Sequence, residues 1–230
     1  MVRTRPRGTA PADLISNQKK WTDRWKRIQA EGGNADWAPR AAKRLLREVI
    51  LPLAHDKCVF CEGLLDVTSS PEIEHYNPRS IYPDQAFEWT NLLPACSKCN
   101  GKKRGQDHRG ALLKPDEEDP EPFFWLHVGT GRLVPHPMLT AGQAARAKAT
   151  IDLCVLQRPK LCQERVRLLG RVGRWVDGVS KRKRLNRILR EEWQDLSDPR
   201  TEYKLVLRFL LELRKLDDWA RSDRKRFRLE

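Results

Sequence analysis

The sequence predicts an α+β fold that is mostly helical, with one short cysteine-framed module set between helical flanks. Three observations predict it. Four cysteines stand in two C-x-x-C pairs, Cys58/Cys61 and Cys96/Cys99, around Glu74-His75 and just ahead of Asn100. Apolar residues recur at helical spacing on both sides of that stretch. Finally, Phe123-Phe124-Trp125-Leu126-His127-Val128, the turn Gly129-Thr130-Gly131 and the return Arg132-Leu133-Val134 form a hairpin signal.

Residues 1–52 are read as a basic arm and a helical N-terminal region. The first twenty residues, opening Met1-Val2-Arg3-Thr4-Arg5-Pro6-Arg7, look like a flexible basic arm. No apolar segment of the secretory kind follows them. Trp21, Trp25 and Trp37 lie beside a periodic apolar face, which makes them core anchors rather than base-stacking platforms. Asp36 is the expected N-cap and Pro39 fits the first turn of the next helix. Ala41, Leu45, Leu46, Val49 and Ile50 mark its inward face, and Pro52 ends it.

Residues 53–110 hold short apolar stretches among many turn formers, as a hairpin and a short helix would. A core this small is marginal by itself, and a metal bound by the cysteines would supply the missing stability. Residues 111–139 form a loop rich in proline and acid, then the hairpin. Residues 140–230 read as a basic helical C-terminal region. Thr140 and Gln143 match a capping box. Ile151, Leu153 and Leu156 follow, and Pro159 restarts the chain in a new helix. Leu185, Ile188, Leu189, Trp193 and Leu196 make a further amphipathic stripe. Asp198-Pro199 begins a last helix carrying Tyr203, Val206, Leu207, Leu210, Leu211 and Leu213. The run Lys181-Arg182-Lys183-Arg184 and the arginine-rich tail make this region the expected docking surface for a partner or for nucleic acid.

The composition limits the function classes. With 39% hydrophobic and 33% charged residues, the chain reads as a charge-rich globular protein. No apolar run approaches the roughly 20 residues of a membrane span, so no membrane association is expected and the cytoplasm is the default. A formal net charge of +14 favours a polyanionic partner, nucleic acid first. Without an export signal, six cysteines point away from a disulfide framework.

Two C-x-x-C turns supply four thiolates, the closed tetrahedral shell of a structural Zn²⁺. A thioredoxin-like redox role would need one such pair in a βαβ setting, which is missing. Cys154 and Cys162 lie far off in the helical region and read as small buried hydrophobes. Glu74, His75 and Asn100 are a second constellation. A neutral histidine, with a pKa near 6.5, suits proton abstraction from water. A carboxylate and an amide oxygen are hard ligands for Mg²⁺, or for Mn²⁺, and these are the minimum parts of a one-metal phosphodiester hydrolase. Lys102 and Lys103 are candidate contacts to nucleic-acid phosphates. His108 reads as an ordinary surface histidine, and His55, His127 and His136 are given no role.

The string Ile73-Glu74-His75-Tyr76-Asn77-Pro78-Arg79-Ser80, then Tyr82-Pro83, Phe87-x-Trp89-x-Asn91-Leu92-Leu93-Pro94 and Cys96-x-x-Cys99-Asn100-x-Lys102, resembles HNH endonucleases of the H-N-N variant, and among them the PtuB-type proteins. The resemblance implies a ββα-metal (HNH) module with a structural zinc, flanked by the N-terminal helical arm and the C-terminal helical region. It implies that His75 ends the first strand as general base and that Asn91 fixes the loop carrying it. It implies that Asn100 opens the helix and, with Glu74, holds the catalytic divalent ion. Glu74 departs from the aspartate common in that pattern. PtuB-type proteins belong to Septu and retron-linked antiphage systems, where the nuclease is paired with PtuA, an ABC-type ATPase. This chain has no Walker A sequence of its own.

The expected function is therefore a metal-dependent endonuclease acting on DNA in antiphage defence with a PtuA-like ATPase. An RNase acting on tRNA is the alternative with the same chemistry. A zinc-stabilised nucleic-acid-binding module without catalysis is the alternative of another class.

Overall fold

The computed structural model describes Met1, residues 4–33, 37–65, 71–103 and 105–180, and the single residues Glu191, Gln194, Tyr203 and Val206. Asp36, the Lys181-Arg182-Lys183-Arg184 run, the arginine-rich tail and nearly all of the two expected C-terminal helices lie outside the described residues. Among the described residues no helix is long and apolar enough to cross a membrane.

Helix α1 (Ala12–Ala30) buries Leu14, Trp21 and Trp25. Their spacing, i, i+7 and i+11, returns to one side of a helix. The tryptophans thus anchor the core, but the flexible arm is a misreading. Met1 is buried, and the Arg5 backbone N–H donates to Leu53 O at 2.8 Å. The Arg7 guanidinium pairs with Asp116 at 2.9 Å, donates to Leu92 O at 2.8 Å and lies over the Trp89 ring. The Arg7 side chain, expected in a flexible arm, thus donates to the Trp89 and Leu92 carbonyls.

Helix α2 (Arg40–Ile50) starts one residue after Pro39, which occupies the cap position itself and not the first turn. Ala42, Leu46 and Ile50 are fully buried and Ala41 is exposed, so the inward stripe begins one residue later than expected. A 3-10 turn, Leu51–Ala54, carries Pro52 near its start, where the missing N–H has no helical partner to lose.

Strand β1 (Pro71–His75) pairs antiparallel with β2 (Leu92–Cys96), with His75 opposite Leu92 and Glu74 opposite Leu93. β2 runs directly into helix α3 (Ser97–Lys103). The strand pair lies between two hydrophobic clusters. Leu93 belongs to the larger, with the four cysteines, Tyr76, Leu112 and Leu113. Leu92 belongs to the smaller, with Trp21, Trp25, Leu46 and Phe87. Successive side chains of a strand point to opposite faces, and directly opposed residues share one. Glu74 therefore turns toward the larger cluster and His75 toward the smaller.

Strands β3 (Phe124–His127) and β4 (Arg132–Pro135) form the expected antiparallel hairpin. Phe124, Leu126 and Leu133 point inward while Trp125 and Val134 are exposed. Gly131 at its turn has φ +66°, and a Cβ there would lie 2.1 Å from Cys162 O, so only glycine lets the hairpin approach the next helix. Helix α4 (Ala141–Leu153) starts at Thr140 with the full capping box, and α5 (Pro159–Ser180) starts at Pro159. Buried Arg165 of α5 donates to Gly131 O at 3.1 Å and Leu156 O at 2.8 Å, tying hairpin to helices.

Candidate functional site

The cysteine pairs come together as expected. The Sγ atoms of Cys58, Cys61, Cys96 and Cys99 all lie within 4.8 Å of one another and all four residues are buried. The Cys61–Cys96 separation is 3.9 Å. A tetrahedron with Zn–S bonds of about 2.3 Å has edges of about 3.8 Å, so the quartet fits a zinc ion with no position left open. Glu62, at φ +68°, closes the first C-x-x-C turn, and Val59 N–H donates to Pro94 O at 3.1 Å, fastening that turn to β2. Hydrogen bonding from Cys58 lowers the Cys61 thiol to about 6, and bonds from its three neighbours lower Cys96 further. Burial pushes Cys58 up. Arg158 places Nη1 3.4 Å from Cys99 Sγ and adds a cation beside the thiolates. Cys154 and Cys162 are buried and apart from this quartet, and burial pushes the Cys154 thiol well up.

His75 ends β1 and is 4% exposed. Its Nε2 lies 2.9 Å from Ala86 O. A carbonyl only accepts, so Nε2 carries the proton and Nδ1 keeps the basic lone pair. Trp37 packs edge-on against the imidazole, with centroids 4.5 Å apart. Burial, and next the charge of Arg79, lower the His75 pKa to about 3, so the ring is neutral at pH 7.

Asn91, also buried, sits at the end of the 3-10 turn Trp89–Asn91. Its Oδ1 accepts from Asn77 N at 2.6 Å, and its Nδ2 donates to Asn77 O at 3.0 Å and Gln85 O at 2.9 Å. Its own carbonyl accepts from Tyr76 N at 2.8 Å. One side chain thus spans the loop on both sides, from the residues after His75 to the residue before Ala86.

Glu74 and Lys103 do not have the surroundings expected of them. Glu74 is 2% exposed, on the strand face opposite His75, and pairs with Lys103. Burial raises its pKa, with the Lys103 charge acting in opposition. Lys103 is also 2% exposed, so it is no surface contact for phosphate. Its ammonium donates to His75 O at 2.9 Å, Tyr76 O at 3.1 Å and His108 Nε2 at 2.9 Å. His108 is therefore a buried acceptor and not a surface histidine. Burial, and next the Lys103 charge, lower its pKa to about 4. Lys102 is exposed on α3. Asn100 lies in mid-helix and does not open it, and its Nδ2 donates to Glu72 Oε2 at 2.7 Å, not to Glu74.

An open cleft of about 860 Å³ runs along β1. Glu72 and Asn100 line it, as do Trp37 and Arg79, the groups acting on His75, while His75 and Glu74 themselves do not. Arg40, Lys43, Arg44 and Arg47 of α2 form a cationic wall. Glu72, Arg79 and Trp37 were missed as site residues. The signal for Glu72 was its position two residues before Glu74, which puts both carboxylates on one strand face.

No protein-family model matches the chain. It is 34% identical to the Septu protein PtuB of Bacillus thuringiensis over 116 residues, 50% of this chain and 42% of that protein. It is 29% identical to the Septu protein PtuB of Bacillus mycoides (strain KBAB4), over 35% of this chain and 36% of that protein. Both relatives carry the PtuB name to which the motif string pointed, and over the matched stretch this chain is PtuB-like. It spans about two fifths of the length of these curated relatives.

Proposed function

We propose that this chain is a metal-dependent HNH endonuclease that hydrolyses DNA phosphodiester bonds as the effector of a Septu-type antiphage system. The observation that carries the reading is His75: a neutral imidazole at the end of β1, held in one tautomer by Ala86 O and flanked by two groups that line a cationic cleft. The β1–β2 pair followed at once by α3 supports a ββα-metal module, which the zinc quartet would staple. The similarity to PtuB proteins supports the defence role and a partnership with a PtuA-type ATPase.

In this reading Nδ1 of His75 takes a proton from water, the water oxygen forms the new bond to phosphorus, and the P–O3′ bond breaks. The 3′ oxygen takes its proton from solvent. Asn91 positions the loop bearing His75 without touching substrate. Asn100 and a strand carboxylate would hold a divalent ion, which would supply a counter-charge for the phosphate and the leaving oxygen. A base with a pKa near 3 is weak; a phosphate approaching Arg79 would offset the smaller of the two causes named, while burial, the larger, stays.

The test compares wild type with His75→Ala on plasmid DNA and on total tRNA, with Mg²⁺ or with EDTA, alone and with the PtuA-type ATPase. Wild type should nick plasmid only with Mg²⁺, and the variant should lose at least about 100-fold in rate while keeping its zinc. Unchanged cleavage by zinc-loaded His75→Ala sinks the assignment, and cleavage of tRNA alone makes the enzyme an RNase.

A further inference from the structure

The resemblance pairs Glu74 with Asn100 around the catalytic ion, and the geometry does not fit that pairing. Glu74 is buried on the side of the larger cluster, against a lysine whose ammonium is held by two carbonyls and an imidazole as well. A dication there would sit against a fixed ammonium; Glu74, like His75, is also not among the residues that line the cleft. Glu72 is two residues back on the same face and half-buried; it lines the cleft and accepts a hydrogen bond from Asn100 at 2.7 Å. That contact sets the carboxylate beside the amide; turning the amide about its terminal torsion would bring Oδ1 in place of Nδ2 to the same point, as two hard ligands for one cation. Mg²⁺ is commonly held by one or two protein oxygens, several waters and the phosphates of its substrate.

The charge of the cleft adds a second constraint. Arg40, Lys43, Arg44, Arg47 and Arg79 outnumber Glu48 and Glu72 among its lining residues. A dication entering alone meets a net positive wall. A nucleic-acid strand lying along α2 neutralises that wall and contributes the missing oxygen ligands. Each therefore raises the affinity of the other, by reciprocity of linkage.

We propose that Glu72 and Asn100, not Glu74, hold the divalent cation, and that it binds jointly with a nucleic-acid strand whose phosphates lie along the α2 arginines. This rests on the nuclease reading above and replaces one of its residues. Glu74 becomes a positioning residue whose pairing with Lys103 fixes the end of β1.

The test reads binding, not turnover, in the His75→Ala background. Anisotropy of labelled duplex DNA and of labelled tRNA is measured with and without Mg²⁺ at constant ionic strength, and Mn²⁺ binding is followed by electron paramagnetic resonance with and without nucleic acid. The divalent ion should tighten binding about tenfold, a typical coupling between two ligands. Adding Glu72→Gln should abolish that coupling while zinc content and metal-free affinity are retained. Adding Glu74→Gln should keep the coupling in the fraction that folds, as judged by zinc content and circular dichroism. Coupling that survives Glu72→Gln, coupling lost only with Glu74→Gln, or no metal-coupled binding of either nucleic acid overturns the inference. If wild type cuts nothing yet coupling runs through Glu72, the nuclease reading falls and the site stands. If wild type cuts DNA and coupling runs through Glu74, the reverse holds.

Discussion

His75 and His108 are both kept neutral by burial next to a cation, and this gives the protein an acid-sensitive stability. Their folded pKa values, about 3 and about 4, lie below the ordinary 6.5. Between these limits the unfolded chain binds protons that the folded chain excludes, so stability is complete above about pH 6.5 and falls as the pH drops toward 4, by up to about 1.4 kcal/mol per unit for each group. The raised pKa of Glu74 works in the opposite direction. His108→Gln keeps an acceptor oxygen for Lys103 and removes one titration. Its melting temperature should vary less with pH over this window than that of wild type, and an unaltered pH profile would contradict the burial argument. Asn91→Ala removes three side-chain hydrogen bonds from the loop. It should cost about 2–4 kcal/mol in urea denaturation, because the Asn77 N–H and two carbonyls lose a buried partner.

At the scale of elements, the joint between β1 and α3 is ionic as well as apolar. Lys103→Met would leave the Glu74 carboxylate buried without its partner, and the expected loss is about 3–5 kcal/mol. Combining it with Glu74→Leu should recover most of that loss, since an apolar pair of similar volume avoids the desolvation penalty. A double variant as unstable as the single one would show that the carbonyl contacts of Lys103 matter more than the ion pair. Lys102, one residue earlier, is exposed and, like Lys98, remains able to meet phosphate. Lys102→Gln should leave the denaturation midpoint unchanged and reduce the salt dependence of DNA binding by about one unit of log-log slope.

Across the whole molecule, the cysteine quartet belongs to the same cluster as Ile151, Leu161, Leu169, Val172 and Trp175 of α4 and α5. Loss of its metal should therefore not stop at the knuckle. Cys58→Ser, or a strong zinc chelator, should lower helical circular dichroism and the melting temperature together, beyond what the two short turns could account for. Arg158, between α4 and α5, couples the same regions electrostatically through Cys99. Arg158→Met should weaken zinc retention about 10- to 100-fold in a chelator competition, as loss of a partner to a metal ligand does.

The sequence by itself determined the features that depend on local spacing. Two C-x-x-C turns make a thiolate quartet wherever the chain brings them together. Thr140 with Gln143 makes a cap and a Gly-Thr-Gly turn makes a hairpin, whereas the place of His75 at a strand end came from the motif resemblance. Tertiary structure alone decided which carboxylate meets Asn100, since Glu72 and Glu74 share one strand face and differ only in which turn of α3 lies opposite. It also decided that Lys103 and His108 are interior, that Met1, Arg5 and Arg7 are tied to the body, and that the arginines of α2 face a cleft. Those outcomes depend on contacts between residues far apart in the chain, and periodicity within one segment carries no information about what packs against it.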